Sequence, residues 1–218
     1  MRAMILAAGR GSRMGALTAK TPKPLLRVGG QYLIEYALKG LVAAGIKEMV
    51  INIAYQADQI RVALGDGTRY GCDILYSQED EALETGGGIL KALPLLGEAA
   101  FLVMSADIIT DFPFATLPRE PAGLAHLVMV DNPPYHPAGD FGLGSEAAWV
   151  MAEGAPKLTF ANIGVYRPDL FAAATHCQGT AFPLRQLLLP AIARQQISGE
   201  YYAGHWHNVG TPEDLLGL

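Results

Sequence analysis

The sequence predicts an α/β fold, a three-layer sandwich with a mostly parallel, Rossmann-like mixed sheet. Over the first 76 residues, apolar strand patterns alternate with helical patterns at spacings that suit parallel crossovers. Half of the 218 residues are hydrophobic and only 17% are charged, which is typical of a globular chain with a substantial core. Because this length is ordinary for one compact unit, we expect residues 1–218 to form a single domain.

Five elements predict the parallel half of the sheet. Buried or half-buried strands are predicted at Ala3–Ala8, Glu48–Ala54 and Asp73–Tyr76, with helices between them at Ile34–Val42 and Ala57–Leu64. Gly45 and Gly65 follow the two helices, where a glycine commonly ends a helix. Ligands of such sheets bind beyond the carboxyl ends of the strands, so the loop after the first strand lies at the expected site.

The second half of the chain predicts more strands than helices. Strands are expected at Ala100–Ala106, Leu124–Val130, Ala147–Met151, Leu158–Tyr166 and Glu200–Asn208, and helices at Ile89–Leu96, Pro168–Ala174, Pro183–Ala193 and from Pro212. Residues 131–144 are rich in proline and glycine and are predicted to be a loop within the domain, because strand patterns resume on both sides.

A long basic loop follows the first predicted strand. It contains Gly9 and Gly11 and carries two well-spaced cations, Arg13 and Lys23. Glycines let backbone N–H groups approach phosphate oxygens closely, and the cations neutralise phosphate charge. Neither common phosphate motif is present, because the dinucleotide fingerprint needs a glycine where Met14 stands and no Gly-Lys-Ser/Thr occurs. We interpret the loop as a phosphate-binding loop of another kind.

Composition excludes several other classes of protein. The net charge is −5, with 16 basic against 21 acidic residues, which argues against nucleic acid as the main partner. The sequence has no apolar run approaching the roughly 18 residues of a transmembrane helix. The only cysteines, Cys72 and Cys177, form neither a disulfide framework nor a C-x-x-C motif, as expected of free thiols in a reducing cytosol. We therefore expect a cytoplasmic protein without a membrane partner.

Three consecutive glycines, Gly86 to Gly88, stand before the predicted helix at Ile89–Leu96. Each would cost about 1 kcal/mol relative to alanine inside a helix. Such a cost indicates either backbone that must approach something flat or a helix start that needs tight packing. Most of the preceding stretch, Gln78–Glu81, is predicted to be a solvated acidic loop.

Asp107 follows the predicted buried strand Ala100–Ala106. A carboxylate at this point can place a metal ligand at the rim of a sheet, and the alternative is a hydrogen bond to the following turn. Asp111 is interpreted as the cap of a short helix. His205 and His207 are interpreted as residues of an edge strand, because no cluster of Cys, His or Asp stands near them in the sequence.

The stretch Leu6–Leu25 resembles the signature of the sugar-1-phosphate nucleotidyltransferases. It reads L-A-A-G-x-G-x-R-M, and the lysine of P-K-P-L follows 10 residues after the arginine. It departs at Gly15-Ala16, where many members have a residue followed by proline. Glu84–Ile89 (ETGGGI) resembles the version in the N-acetylmuramate 1-phosphate uridylyltransferases. The resemblance implies a GT-A-like form of the predicted fold.

The resemblance also implies the residues of a site. Those for the nucleotide are Leu6, Ala7, Ala8, Gly9, Gly11, Gln78, Gly86 and Gly87. The implied catalytic residues are Arg13, Lys23 and Asp107, the implied Mg²⁺ ligands are Asp107 and Asn208, and the implied sugar contacts are Gly142 and Asn162. Three further positions depart from the family: Asn208 replaces the usual Asp of D-x-G-T, Ala106 replaces the usual Gly before Asp107, and Asn162 stands where many N-acetylmuramate 1-phosphate enzymes have Gly.

The function implied by the resemblance is transfer of UMP from UTP to a sugar 1-phosphate, N-acetylmuramate 1-phosphate first among them, with release of pyrophosphate, in cell-wall sugar recycling. The implied partners are a nucleoside triphosphate and a sugar 1-phosphate, and the oligomeric state is left open. Two kinds of alternative remain. One is a guanylyltransferase for mannose 1-phosphate, a cytidylyltransferase or a molybdenum-cofactor enzyme of the same architecture, and the other is a catalytically silent nucleotide-sensing module.

Overall fold

The computed structural model describes residues 1–144, 148–154 and 156–217. Its strands are β1 Ala3–Leu6, β2 Arg27–Val28, β3 Gln31–Tyr32, β4 Glu48–Ile53, β5 Asp73–Gln78, β6 Phe101–Ser105, β7 Ile108–Thr110, β8 Ala125–Val130, β9 Phe141–Leu143, β10 Val150–Met151, β11 Lys157–Tyr166, β12 Ile197–Tyr201 and β13 Trp206–Asn208. Its α-helices are α1 Leu33–Ala43, α2 Ala57–Leu64, α3 Glu84–Leu96, α4 Arg185–Ala193 and α5 Pro212–Leu216, and 3₁₀ helices lie at Ser12–Thr18, Lys23–Leu25, Thr68–Tyr70, Phe114–Thr116 and Pro168–Cys177.

The central sheet is mixed, with a parallel half and an antiparallel half. Its strand order is β10-β9-β11-β6-β1-β4-β5, and β8 pairs with both β11 and β12. β1 runs parallel to β4 and β6, and β4 runs parallel to β5, whereas β11 runs antiparallel to β6, β8 and β9. The predicted α/β class is confirmed, and the parallel strands bring the chain segments that follow β1, β4, β5 and β6 to one edge of the sheet.

Helices cover both faces of this sheet and complete the three layers. Side chains of β1 alternate between the two faces: Ala3 and Ile5 belong to the core under α1 and α2, whereas Met4 belongs to the core under α3 and α4. All three of these side chains are fully buried. A strand that is buried on both faces explains why its sequence is continuously apolar.

Helix ends in the parallel half follow the sequence closely. α2 ends at Leu64 as predicted, and Gly65 follows with a φ of 63°. Gly45 follows the last turn of α1 with a φ of 80° and donates its N–H to the Val42 carbonyl at 2.9 Å. Left-handed backbone of this kind carries no steric cost for glycine, so both helices end where a glycine allows it.

The predicted last strand, Glu200–Asn208, is wrong. β12 ends at Tyr201 in the central sheet, and β13 forms a separate two-stranded sheet with β7. The chain leaves the central sheet after Tyr202, whose N–H donates to the Met129 carbonyl at 2.8 Å, and reaches β7 at His205. Neither sequence, ISGEY in β12 or WHN in β13, indicates its pairing partner, so the sequence alone does not separate the two strands.

Three smaller predictions also need correction. The predicted loop 131–144 contains β9, because Phe141–Leu143 pairs with β11 and β10. Asp111 does not cap the helix at Phe114–Thr116, because this helix follows Pro113 without a side-chain cap. The Asp111 carboxylate instead accepts a hydrogen bond from the Tyr202 hydroxyl, and this bond lowers the pKa of Asp111. Of the strand predicted at Ala147–Met151, Ala147 lies outside the described residues and Val150–Met151 forms β10.

Within the described parts of the chain, no helix is long and apolar enough to cross a bilayer.

Candidate active site

A cleft of about 340 Å³ opens beyond the carboxyl ends of β1, β4, β5 and β6. The strand that ends in the phosphate loop forms one wall, and the start of α3 forms another. Most of the residues predicted for the nucleotide and for catalysis line it. They are Leu6, Ala7, Ala8, Gly9, Gly11, Arg13, Lys23 and Asp107. The remaining lining residues are Ser12, Pro24, Asn52, Glu79, Ala82, Glu84, Thr85, Ser105 and Ala106. We call this space the first cleft.

Glycine is required in the phosphate loop where the chain folds back on itself. Gly11 has a φ of 64°, and a Cβ placed on it would lie 2.9 Å from the Cβ of Lys23. The hydroxyl of Thr18 donates to the Gly11 carbonyl at 3.0 Å and holds the turn closed. Gly9 differs, because a Cβ placed on it would meet no atom within 4 Å. Packing within the protein therefore accounts for a glycine at position 11, whereas the space beside Gly9 is open.

Lys23 and Asp107 meet as an ion pair in the first cleft. The Lys23 ammonium contacts the Asp107 carboxylate, and the two side chains are 11% and 25% exposed. A lysine this buried needs an anion beside it, because removing an ammonium from water is costly. Residues 84 positions apart in the sequence are thus brought together by the parallel sheet.

The two-stranded sheet of β7 and β13 brings the segment that contains Asn208 beside Asp107. β13 runs antiparallel to β7 with Asn208 opposite Ile108, and the Val209 N–H donates to the Asp107 carbonyl at 2.9 Å. The side-chain oxygen of Asn208 is buried and has no hydrogen-bond partner. A buried oxygen without a partner is costly unless something else occupies its lone pairs. One carboxylate and one free amide oxygen fit a hard, oxygen-preferring cation such as Mg²⁺.

The turn after Asn208 is held by Asp214. Its carboxylate accepts hydrogen bonds from the N–H groups of Gly210 at 2.8 Å and Thr211 at 2.7 Å. Burial alone would raise the pKa of Asp214, but these two amides outweigh it and keep the pKa below its usual value. Arg13 lies beside the same turn, with its guanidinium 3.4 Å from where a Gly210 Cβ would stand. The predicted catalytic arginine and the predicted metal ligand thus flank one turn.

A second cleft of about 260 Å³ lies in the antiparallel half. It is lined by Tyr135, His136, Asp140, Thr159, Phe160, Asn162, Trp206 and Asn208. Two predicted site residues, Asn162 and Asn208, therefore share this second cleft. Gly142 does not line it; this glycine is buried in β9, opposite Met151 and Lys157.

Asn162 occupies a bulge in β11. The pairing with β8 shifts register between Phe160 and Gly164, and Asn162 has a φ of 55°. Among residues with a side chain, asparagine is one of the few that adopts this conformation readily. The bulge re-aims the strand beside the second cleft. Asn162 is therefore explained in part by its backbone, and glycine would suit the same φ.

Tyr135 links the second cleft to the Asp107–Asn208 pair. Partial burial raises the pKa of Tyr135, a hydrogen bond donated by the NH₂ group of Asn208 opposes this increase, and the charges of Asp214 and Asp107 add to it. The ring lies on the loop over the second cleft and is 58% exposed. Sequence analysis missed this residue, and a single tyrosine in a Pro-rich loop offers no signal by itself.

The other three residues predicted for the nucleotide do not line the first cleft. Gln78 is exposed and accepts a hydrogen bond from Arg61 at 3.0 Å. A Cβ on Gly86 would lie 2.3 Å from the ring of Phe182, and one on Gly87 would lie 2.5 Å from the Thr180 carbonyl oxygen. Close packing inside the first turns of α3 therefore accounts for these two glycines, and a nucleotide contact through Gln78, Gly86 or Gly87 stays a prediction.

Sequence analysis also missed two buried polar residues of the first cleft. Asn52, in β4, is 3% exposed, and Glu79, directly after β5, is 2% exposed. Glu79 therefore does not belong to a solvated acidic loop. A polar side chain in the apolar run EMVINI was the available signal for Asn52, whereas the sequence QEDE gives no indication of which acid turns inward.

Comparisons with known proteins identify the family to which this chain belongs. The sequence family described as nucleotidyl transferase matches residues 2–218. An N-acetylmuramate alpha-1-phosphate uridylyltransferase of Neisseria meningitidis serogroup B is 45% identical, over 97% of this chain and 94% of the relative. A protein of the same description from Caulobacter vibrioides is 30% identical, over 98% of this chain and 93% of the relative.

A solved structure supports the fold alone. The putative glucose-1-phosphate thymidylyltransferase of Bacillus anthracis, in complex with a sucrose, superposes with a TM-score of 0.87 at 19% identity, covering 100% of this chain and 93% of that one. Family membership rests on the sequence match over residues 2–218 and on the two relatives that align over nearly their whole length. This chain belongs to the nucleotidyl transferase family, whose relatives described above are sugar-1-phosphate nucleotidyltransferases.

Proposed function

We propose that the protein transfers UMP from UTP to N-acetylmuramate 1-phosphate and releases pyrophosphate. Two contacts carry the proposal: Lys23 pairs with Asp107 in the first cleft, and the N–H of Val209, next to Asn208 of the second cleft, donates to the Asp107 carbonyl at 2.9 Å. The uridylyltransferases of Neisseria meningitidis and Caulobacter vibrioides, which match this chain along nearly its whole length, favour that choice of substrates over others of the same class.

The nucleotide occupies the first cleft in this proposal, and the sugar 1-phosphate occupies the second. The backbone from Leu6 to Gly11 offers N–H groups and little side-chain bulk, which suits a triphosphate. The second cleft offers aromatic and polar side chains, among them Trp206, Asn162 and Thr159, which suits the mixed apolar and hydroxylated faces of a sugar. Asn208 is in the second cleft and Asp107 is in the first, so the reacting phosphates meet between them.

Catalysis then consists of positioning and charge neutralisation. An oxygen of the sugar phosphate attacks the α-phosphorus in line, the bond to the pyrophosphate oxygen breaks, and no protein nucleophile is needed. Arg13 neutralises the leaving pyrophosphate. Lys23 exchanges its contact with Asp107 for the α-phosphate and the incoming phosphate, so that the positive charge acts on the transferring group.

Asp107 and Asn208 would hold Mg²⁺. The buried Asn208 oxygen without a hydrogen-bond partner is the structural support for this assignment. When bound, the ion neutralises phosphate charge and orients the two phosphates for in-line displacement. Asp107 supplies the one protein anion among the two ligands, and no cluster of three His, Cys, Asp or Glu suited to a metal occurs in the described residues. The ion is therefore expected to enter with the triphosphate.

The proposal also includes a single domain and a cytoplasmic location, and it argues against a nucleotide-sensing role. One sheet includes strands from β1 to β12, which supports a single domain over residues 1–218. Free cysteines at Cys72 and Cys177 and a nucleoside triphosphate substrate fit a cytoplasmic enzyme. A silent nucleotide-sensing role is disfavoured because Arg13, Lys23 and Asp107 are all present and converge on the first cleft.

The test is pyrophosphate release from a grid of nucleoside triphosphates against sugar 1-phosphates, with Mg²⁺. We expect UTP with N-acetylmuramate 1-phosphate to give the highest kcat/KM. A clear preference for GTP with mannose 1-phosphate would leave nucleotidyl transfer in place and overturn the choice of substrates. No release from any pair, by a protein that still binds a triphosphate, would favour the nucleotide-sensing role.

A further inference from the structure

A chain of three hydrogen bonds crosses the floor of the first cleft. The Ala7 N–H donates to Asn52 Oδ1 at 2.8 Å, Asn52 Nδ2 donates to Glu79 Oε1 at 2.7 Å, and the Leu83 N–H donates to Glu79 Oε2 at 2.8 Å. The two ends of this chain of bonds are backbone N–H groups from two different walls of the first cleft. Ala7 begins the phosphate loop after β1, and Leu83 precedes the first turn of α3.

This chain of bonds is built into the protein interior. Asn52 and Glu79 are 3% and 2% exposed, so a polar atom that loses its partner there gains little contact with water. Gly88 makes room for it, because a Cβ on this residue would lie 2.8 Å from Glu79 Oε1 and 2.9 Å from Asn52 Nδ2. The third glycine of the Gly86–Gly88 run is therefore explained by the side chains it accommodates.

We propose that Asn52 and Glu79 are positioning residues that set the separation of the phosphate loop and the α3 wall, and so determine how tightly the first cleft holds a nucleotide. The inference rests on the proposed function, in which the nucleotide occupies this cleft. Both residues act through the backbone groups that donate to them, the Ala7 N–H on one side and the Leu83 N–H on the other.

The direction of each hydrogen bond gives the inference a specific consequence. Both Glu79 oxygens accept, so Glu79→Gln replaces one acceptor with an NH₂ donor. That NH₂ faces a donor in either orientation, the Asn52 amide or the Leu83 N–H. Asn52→Asp creates the opposite conflict, because its second oxygen faces the Glu79 carboxylate, an acceptor of like charge. Each single change therefore disrupts the chain without changing its shape.

The double variant Asn52→Asp, Glu79→Gln restores every bond. The new carboxylate at position 52 accepts from Ala7 with one oxygen and from the new amide at position 79 with the other. The remaining oxygen at position 79 accepts from Leu83. The negative charge has moved from position 79 to position 52, while donors and acceptors are complementary again and the volumes are unchanged.

The experiment compares wild type, the two single variants, the double variant and Ser198→Ala. Ser198 is a buried polar residue on β12 that hydrogen-bonds His126 at 2.9 Å, so its replacement controls for lost stability away from the clefts. Three quantities are measured for each protein: the Kd for UTP, the KM for the sugar 1-phosphate and the midpoint of unfolding in urea. A single variant that fails to fold leaves the double variant as the test.

We expect each single variant to lower the urea midpoint, because one buried polar group loses its partner. We expect it also to weaken UTP binding about tenfold, because the chain no longer holds the phosphate loop and the α3 wall at their separation. The KM for the sugar phosphate should change by less than about twofold, and the double variant should return UTP binding to within about threefold of wild type. Ser198→Ala should lower the urea midpoint and leave both substrate constants unchanged.

Several results would overturn the inference. The inference fails if the double variant binds UTP as weakly as the two single-variant effects multiplied together. It also fails if the single variants bind UTP with the Kd of wild type. Equal weakening of both substrates, or weakened UTP binding by Ser198→Ala, would reduce the effect to general stability. A wild type that binds UTP but shows no transferase activity would contradict the proposed function while leaving this inference standing, and a wild type that binds no nucleotide would overturn both.

Discussion

The two clefts are built in different ways. The first lies at the ends of parallel strands, where the backbone and small residues of the phosphate loop face charged side chains such as Lys23 and Asp107. Its most constrained glycine is Gly11, packed against Lys23. The second is formed by side chains of antiparallel strands and of the loop that carries Tyr135 and His136. That loop is fastened to β11 by Asp140, whose carboxylate accepts from the Phe160 N–H at 3.0 Å.

This difference indicates how one fold can combine a fixed and an adaptable half. The phosphate loop tolerates no added bulk at Gly11, because a Cβ there collides with Lys23. A cleft made of side chains changes shape with each substitution while the strands beneath stay in place. We therefore expect changes in the first cleft to affect catalysis and stability, and changes in the second cleft to affect the sugar phosphate more selectively.

The largest expected effect lies at the proposed metal ligands, Asp107 of the first cleft and Asn208 of the second. Asp107→Asn removes the one anion of the proposed metal pair and should lower kcat by about 10³-fold or more. Asn208→Ala removes an amide oxygen and should also be severely impaired, whereas Asn208→Asp supplies a second carboxylate and should stay active at a lower Mg²⁺ concentration. The measurement is kcat against Mg²⁺ concentration for the three variants. An active Asp107→Asn enzyme would show that the metal site is elsewhere.

The next effect concerns Lys23. Lys23→Met keeps most of the apolar stem and removes the charge, so kcat should fall by about 10²–10³-fold. Lys20→Met is the matched control, because Lys20 is exposed and lies in the same loop; its kcat should stay near wild type. Near-normal turnover of Lys23→Met would exclude a role for this charge in the transition state.

Gly11 should matter for folding even without a substrate. Gly11→Ala places a Cβ 2.9 Å from that of Lys23 at a φ of 64°, so the free energy of unfolding should fall by about 1–3 kcal/mol. Gly9→Ala, which meets no atom within 4 Å, should unfold like wild type. Urea unfolding of both variants checks this, and equal stabilities for the two would contradict the packing described for the loop.

The smallest effect is expected at Asp214. Asp214→Ala removes the acceptor that caps the turn after Asn208 and should cost about 1 kcal/mol at neutral pH. Because folding lowers the pKa of Asp214, this stabilisation is present above the unfolded pKa of about 3.9 and is lost as the pH falls through the folded value. Urea unfolding at pH 7 and pH 3 should show the gap between variant and wild type narrowing. A gap that widens in acid would reverse the sign assigned here.

The sequence predicted the first cleft better than the second for a physical reason. The phosphate loop is continuous in sequence and has glycines and cations at short spacing, so Gly9, Gly11, Arg13 and Lys23 could be recognised together. Asp107 joined them because a carboxylate after an apolar strand lies at a predictable edge of a parallel sheet.

The rest depends on contacts between distant segments. Nothing local in Glu200–Asn208 reveals that β12 and β13 pair with different strands, and nothing near Glu79 reveals that its partner is Asn52. The bulge at Asn162 is likewise a product of pairing register. Glycines 86 to 88 were recognised as unusual, and the side chains that require them, Phe182 and Glu79, come from other segments.

The most direct test of the two-cleft assignment is a crossed measurement of both substrates on two variants. Gly9→Ala adds one methyl group in the open space of the first cleft, and Asn162→Gly removes the amide from the second cleft at a φ of 55°, which glycine adopts without strain. We expect Gly9→Ala to raise the KM for UTP and leave the KM for the sugar phosphate unchanged, and Asn162→Gly to do the reverse. Parallel changes in both constants for either variant, or the opposite assignment, would contradict the account.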